Sequence, residues 1–174
     1  DVVIGLESNG LHSNGYSLTR KVLLPKYKLN GTHPYLESSI SEELLKPTKI
    51  YVKPILNVLK EERSAIHGLA HITGGSFSKL ARLNKNVNFI LDNLPQQAGI
   101  FKLIQEAGKI SSKEMYSTFN MGIGFCIIVS KSKVDKLMQM LNKSKLKCQE
   151  IGYMTKGTGA VSIKERGKKD LLVG

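Results

Sequence analysis

Residues 2–23 read VVIGLESNGLHSNGYSLTRKVL, and the order of residue types in them carries most of the fold assignment. Val2 to Leu6 is an apolar run that ends in Glu7-Ser8-Asn9-Gly10, the pattern of a strand leaving a core for a loop. After His12-Ser13-Asn14-Gly15, the apolar residues Tyr16, Leu18, Val22 and Leu23 fall at mixed three- and four-residue intervals. That spacing predicts a helix beginning near Asn14, with Asn14 or Ser13 as its cap, and stopping before Pro25. The unit is therefore strand, polar glycine turn, helix.

The same unit recurs downstream. Ile66 to Thr73 runs strand-like into Gly74-Gly75-Ser76, beyond which Phe77, Leu80 and Leu83 predict another helix. Between the two units, Lys26 to Glu37 reads as an exposed connection, and Ser39-Ile40-Ser41-Glu42 is a capping-box pattern for a short helix ending at Pro47. Ile50-Tyr51-Val52 reads as a strand fragment, and Pro54 suits the first turn of a helix carrying Ile55, Leu56, Val58 and Leu59. Val87, Phe89 and Leu91 alternate as a half-buried strand does, although Ile90 interrupts the polar face. Ile100 to Ala107 is helical and stops at Gly108, and Ser111 to Glu114 opens a further helical turn. Phe125 to Val129 reads as a central strand. Val134, Leu137, Met138 and Leu141 mark an amphipathic helix. Lys147 to Met154 and Ala160 to Lys164 are two strands around a Gly-Thr-Gly turn, followed by a loose Lys-rich tail. Helices alternating with short strands, without a fixed repeat, predict an α+β layer structure with a mixed sheet.

Composition narrows the function classes. With 174 residues, 41% of them hydrophobic, the chain can build one domain with a real core (residues 1–174), but two intimate domains are not expected. Lys and Arg number 26 against 14 Asp and Glu, a formal charge of +12 that favours phosphates and other anions. Trp is absent and the Tyr and Phe are spaced singly, so no stacking platform for single-stranded nucleic acid is expected. Cys126 and Cys148 lack a second pair of ligands for zinc and read as reduced thiols. No apolar stretch reaches the roughly 20 residues a membrane helix needs, which predicts no membrane partner and a cytoplasmic setting. The chain opens on Asp1-Val2-Val3, with neither Met nor leader, which suggests a boundary inside a longer protein.

Chemistry concentrates in the turns. Ser8, Asn9, Gly10, His12, Ser13, Asn14 and Gly15 lie between a buried strand and a helix amino terminus, where unpaired N–H groups and the helix dipole favour phosphate or carboxylate. Asn14 alone reads more simply as a cap, and His12 as either contact or scaffold; the whole run is better read as a binding site. A second such place is His71, Thr73, Gly74 and Gly75, with Lys79 and Arg82 on the following helix, and a plain glycine turn is the competing reading. Neither is a nucleotide P-loop or a dinucleotide-binding glycine motif. Asn120 with Gly122 and Gly124 is a weaker third candidate, since glycines at a strand entry more often mark a bulge or close packing. No carboxylate cluster suited to Mg²⁺ accompanies these turns, so no metal site is expected on this chain.

GLESNGLHSNGYSLTRKVL from Gly5, EELLKPTKIYVKP from Glu42, HGLAHITGG from His67 and EMYSTFNMGIGF from Glu114 together resemble the carboxy-terminal domain of aminoimidazole ribonucleotide synthetase, in order and spacing across nearly the whole chain. The resemblance implies a mixed, largely antiparallel sheet layered with helices. It implies an ATP-dependent cyclo-ligase of purine biosynthesis that closes formylglycinamidine ribonucleotide to aminoimidazole ribonucleotide, with ADP and phosphate as by-products. ATP and Mg²⁺ would be bound mainly by an amino-terminal domain that this chain lacks, and the full-length parent would be a homodimer. By the same resemblance His12 and His71 are the catalytic candidates; Ser8, Asn9, Gly10, Ser13, Asn14, Thr73, Gly74 and Gly75 would face substrate or phosphate. The isolated chain would be inactive. Two departures stand out: Ser76 replaces a third glycine, and the usual Asn-Ile-Pro-Arg run is missing, leaving Arg82 as its counterpart. A Ser with positive φ is strained, so either the turn does not need that conformation or the loop binds more loosely. The alternative reading is a stand-alone phosphate-ligand binding or regulatory module; a nucleic-acid binder ranks below both.

Overall fold

Strand β1 (Val2–Glu7) is buried over its first five residues, because it has neighbours on both edges and helices on both faces. Its side chains divide accordingly. Val3 joins one core cluster, whereas Val2, Ile4 and Leu6 join the other. The computed structural model describes residues 1–164 and 170–173. Within them the remaining strands are β2 (Ile66–His71), β3 (Val87–Leu91), β4 (Ile123–Val129), β5 (Cys148–Lys156), β6 (Val161–Ile163) and β7 (Leu171–Leu172). They form one sheet in the order β2-β4-β1-β5-β3-β6-β7. Every pairing is antiparallel except β3 with β6. The α+β class and the mixed, largely antiparallel sheet expected from the sequence are what is found.

Among the described residues six α-helices cover the sheet: α1 (Tyr16–Leu23), α2 (Ile40–Leu45), α3 (Val52–Glu62), α4 (Gly99–Gly108), α5 (Ser112–Thr118) and α6 (Val134–Lys143). One face carries α3 and α6, where Ile55, Val58, Leu137 and Leu141 pack on Val2, Ile4, Ile127 and Val129. Glu62 of α3, itself nearly buried, is held by Lys133 and Lys136 beside α6, and those cations keep its carboxyl below the usual range. The opposite face carries α1, α4 and α5 over a larger core that includes Phe77, Phe89, Phe101 and Phe119. No described helix is long and apolar enough to cross a membrane.

The capping box at Ser39 is formed as expected, with its oxygen accepting from Glu42 N and the Glu42 carboxylate accepting from Ser39 N. Three local expectations need correction. Helix α1 starts at Tyr16 with no side-chain cap, because Gly10, His12 and Gly15 all have positive φ (72°, 58° and 77°) and coil the chain before the helix can begin. Residues 50–52 are not a strand: Tyr51 is the residue before α3, its hydroxyl donating to Glu7 O at 2.7 Å. Ser76–Arg82 forms a 3₁₀ segment instead of an α-helix, with Ser78 N bonded to Gly75 O and Leu83 N to Leu80 O. Strands β5 and β6 flank the Gly-Thr-Gly turn as expected, and β3 pairs between them. Of the tail read as loose, Leu171–Leu172 pairs with β6; residues 165–169 and 174 lie outside the described residues.

Candidate functional site

Three segments far apart in sequence meet at the ends of β1, β2 and β4. The turn after β1 is tied to residues 120–122 by a buried amide: Asn120 Nδ2 donates to Gly10 O at 2.9 Å, while its Oδ1 accepts from Ser8 Oγ at 2.8 Å and from Gly122 N at 2.9 Å. Ser8 N also donates to Gly122 O at 2.8 Å. The turn after β2 sits against the first turn's far end, for a Cβ built on Gly74 would lie 3.3 Å from Asn14 Oδ1. Ile72 N donates to Gly124 O at 2.9 Å, which fixes this second turn to β4. Both phosphate candidates therefore share one site, and the third candidate is the brace between them.

His12 and His71 are brought together, their ring centroids 6.4 Å apart, with Tyr51 and Phe125 completing an aromatic group. The two imidazoles differ in access. His12 is buried at 5% exposure, and its Nε2 accepts from Asn9 N at 2.9 Å. The ring proton is then on Nδ1, which is buried without a hydrogen-bond partner. Burial first, then the neighbouring His71 and Lys49, lower the His12 pKa to about 4. His71 is exposed, and partial burial followed by the charge of Lys79 lowers its pKa too. Both rings are thus uncharged near neutrality.

Thr73 caps the second turn. Its carbonyl accepts from Ser76 N at 2.7 Å, and its hydroxyl accepts from Lys79 Nζ. Ser76 adopts the positive φ that its residue type disfavours, at 46°. The strain is offset locally, because the side chain is fully buried and its Oγ donates to Phe119 O at 2.6 Å. The turn thus does require the left-handed conformation, and a serine supplies it with a hydrogen bond to the brace segment. Ser13 is exposed and Asn14 half-buried, and neither side chain is engaged in a hydrogen bond among the described residues. Asn9 points elsewhere, its Nδ2 donating to Pro47 O at 3.1 Å. Arg82 is exposed at the end of the 3₁₀ segment.

Two residues that the sequence reading passed over belong to this site. Tyr51 comes from the stretch read as a strand fragment and Lys49 from just before it, and Lys49 pairs with Glu7 at 2.6 Å. A tyrosine in an otherwise aliphatic stretch was the available signal. Gly124 is why the tyrosine fits: a Cβ there would stand 2.0 Å from Tyr51 Oη and 2.6 Å from His12 Cε1. Openings flank the site on two sides. A cleft of about 270 Å³ is lined by Ser8, Gly10, Gly122, Gln96 and Lys147, and an apolar recess of about 430 Å³ borders His71, Tyr51 and Phe125. Among the described residues no group of three His, Cys, Asp or Glu is placed to hold a metal ion. The inventory of uncharged imidazoles, free Ser and Asn groups, lysines and an uncapped helix amino terminus suits negatively charged oxygens.

The family described as "AIR synthase related protein, C-terminal domain" matches residues 1–164. The chain belongs to that family. Its curated relatives include the phosphoribosylformylglycinamidine cyclo-ligase of Methanocaldococcus jannaschii, 49% identical over 154 residues, which are 87% of this chain and 44% of the relative. The cyclo-ligase of Methanococcus maripaludis strain S2 is 43% identical over 174 residues, 99% of this chain and 48% of the relative. The chain thus spans about half the length of the curated relatives it matches. Among solved structures, the hydrogenase maturation protein HypE aligns with a TM-score of 0.63 at 12% identity, covering 98% of this chain and 52% of that one. A thiamine-monophosphate kinase from Stenotrophomonas maltophilia aligns with a TM-score of 0.57 at 17% identity, covering 94% and 50%. Those two likenesses establish the AIR synthase fold and nothing about ligands.

Proposed function

We propose that this chain is the carboxy-terminal half of a phosphoribosylformylglycinamidine cyclo-ligase, one step of purine biosynthesis in the cytoplasm, and that its paired turns hold the anionic groups of the reactants. The observation that carries the reading is the meeting of residues 8–14, 71–76 and 120–124 around uncharged imidazoles and an uncapped helix start. In this reading ATP phosphorylates the formyl amide oxygen of formylglycinamidine ribonucleotide. The amidine nitrogen then attacks that carbon, phosphate leaves, and the ring closes with loss of a proton. The role of base falls in this reading to His71, which is exposed and whose lowered pKa favours the uncharged ring. His12 holds the first turn in shape through Asn9 N, and Ser13, Asn14, Thr73 and the Gly74–Gly75 backbone face phosphate oxygens. Carboxylates for Mg²⁺–ATP, and the contacts of a homodimer, belong to the other half of the protein.

The test is turnover. Full-length protein given formylglycinamidine ribonucleotide, ATP and Mg²⁺ should release ADP and aminoimidazole ribonucleotide in equal amounts, and the 174-residue chain alone should release neither. His71→Asn in the full-length protein should lower kcat by about 10²-fold or more with an unchanged fold. Absence of ADP release from the full-length protein would end the cyclo-ligase reading; full activity in His71→Asn would end the role given to that imidazole.

A further inference from the structure

Three aliphatic side chains on one edge of the molecule are left uncovered among the described residues. Ile50, Val52 and Leu56 are 79%, 65% and 59% exposed, and all line the same recess of about 430 Å³. Val52 and Leu56 are one helical turn apart and share a face of α3, while Ile55 on the adjoining face is buried against the core. The floor of the recess is aromatic, with Tyr51 and Phe125 at centroids 5.4 Å apart. Solitary exposed aliphatics are ordinary on a protein surface, but three of them around one apolar hollow are the signature of a covered surface.

We propose that this shelf is the docking surface for the companion half of the same polypeptide, which meets it with an apolar protrusion rimmed by acidic side chains. The inference rests on the reading that the chain is half of a cyclo-ligase. Three observations select that occupant. The matched relatives have more than half of their length outside the aligned region. A tethered segment meets its site at high effective concentration, so a modest apolar area is enough to hold it. Secondly, the recess is continuous with the candidate site: His71 and Tyr51 line one and form part of the other, so whatever covers the shelf also walls the site. Thirdly, the shelf carries a cation that is free among the described residues. Lys53 is exposed beside Val52 on a chain of net charge +12, while Lys49, which lines the recess, is already paired with Glu7. Two copies meeting face to face would set like charges against each other, whereas an acidic rim would pair with Lys53.

Thiol labelling reads the covering directly. Ile50→Cys is introduced into the full-length protein and, separately, into the 174-residue chain, and the maleimide reaction is located by peptide mass mapping so that Cys148 does not interfere. Each rate is divided by that of the same protein in denaturant. The cysteine at position 50 should react about tenfold or more slowly in the full-length protein than in the 174-residue chain. Equal rates in the two would overturn the proposal. Slow reaction in both, with the short chain sedimenting as a dimer, would assign the shelf to a second copy and overturn it as well. The readout needs no turnover: a protected cysteine in an inactive protein sinks the cyclo-ligase reading alone, and a reactive cysteine in an active protein sinks the docking surface alone.

Discussion

Ser76 shows how a single side chain can reverse a residue-type rule. Its left-handed backbone costs about 1–2 kcal/mol for an L-residue, and the buried hydrogen bond to Phe119 O opposes that cost. Ser76→Ala keeps the strain and leaves a buried carbonyl unpaired, so it should lose about 1–3 kcal/mol in chemical denaturation. Ser76→Gly loses the same hydrogen bond but relieves the backbone, and should be the more stable of the two variants by about 1 kcal/mol. The opposite order would mean that the positive φ carries no strain. This offset was not legible in the sequence, because the partner of Ser76 lies 43 residues away. His12 stood out in the sequence as a candidate, but its charge state did not. Its folded pKa lies near 4, below the ordinary 6.5, so between these values the unfolded chain binds more protons than the folded one. Stability therefore falls as pH drops through that window, by on the order of 3 kcal/mol, and is unaffected by this group above it. His12→Gln keeps an acceptor for Asn9 N and cannot titrate. The difference in unfolding free energy between pH 7.5 and pH 4.5 should shrink in this variant, and an unchanged difference would place the acid sensitivity elsewhere.

At the scale of elements, periodicity and caps were read well where the deciding contacts are local. The Ser39 and Ser111 caps, the stops at Pro25 and Gly108 and the buried run at Phe125–Val129 depend on neighbours within a few residues. Failures came where a distant partner overrode local preference. Phe119 fills the space beside Gly15 and Gly124 makes room for Tyr51, and neither pairing has a local trace. Gly122 and Gly124, read with Asn120 as a weaker third candidate and otherwise as close packing, lie in the segment that joins both turns, and Gly124 is closely packed as well. Asn120 is the joint of that segment, 3% exposed and carrying three hydrogen bonds to the first turn and its own strand entry. Asn120→Ala should destabilise the protein by about 1–3 kcal/mol, since it removes three hydrogen bonds, leaving the Gly122 amide unpaired and the Ser8 hydroxyl and Gly10 carbonyl with only their 3.3 Å contact to each other. It should also speed hydrogen exchange at the Gly122 amide more than at amides of α6. Uniform acceleration across the chain would mean that Asn120 stabilises the fold without fixing the site.

At the scale of the molecule, the class and layering followed from composition and alternation, whereas the strand order did not. The two antiparallel pairings of β1 are set by contacts between residues more than a hundred positions apart, such as Ile4 with Ile127 and Glu150, and nothing near Ile4 announces them. The same long reach has a consequence for biosynthesis. Strand β1 ends between the two edges supplied by β4 and β5, which leave the ribosome about 120 to 150 residues after it. At ordinary translation speeds, roughly 5–20 residues per second, an aliphatic segment with two unpaired edges waits for several seconds or longer before its neighbours exist. Such a strand is an invitation to aggregate, and a nascent chain built this way is a natural client for chaperones that shield extended apolar segments until translation has passed β5.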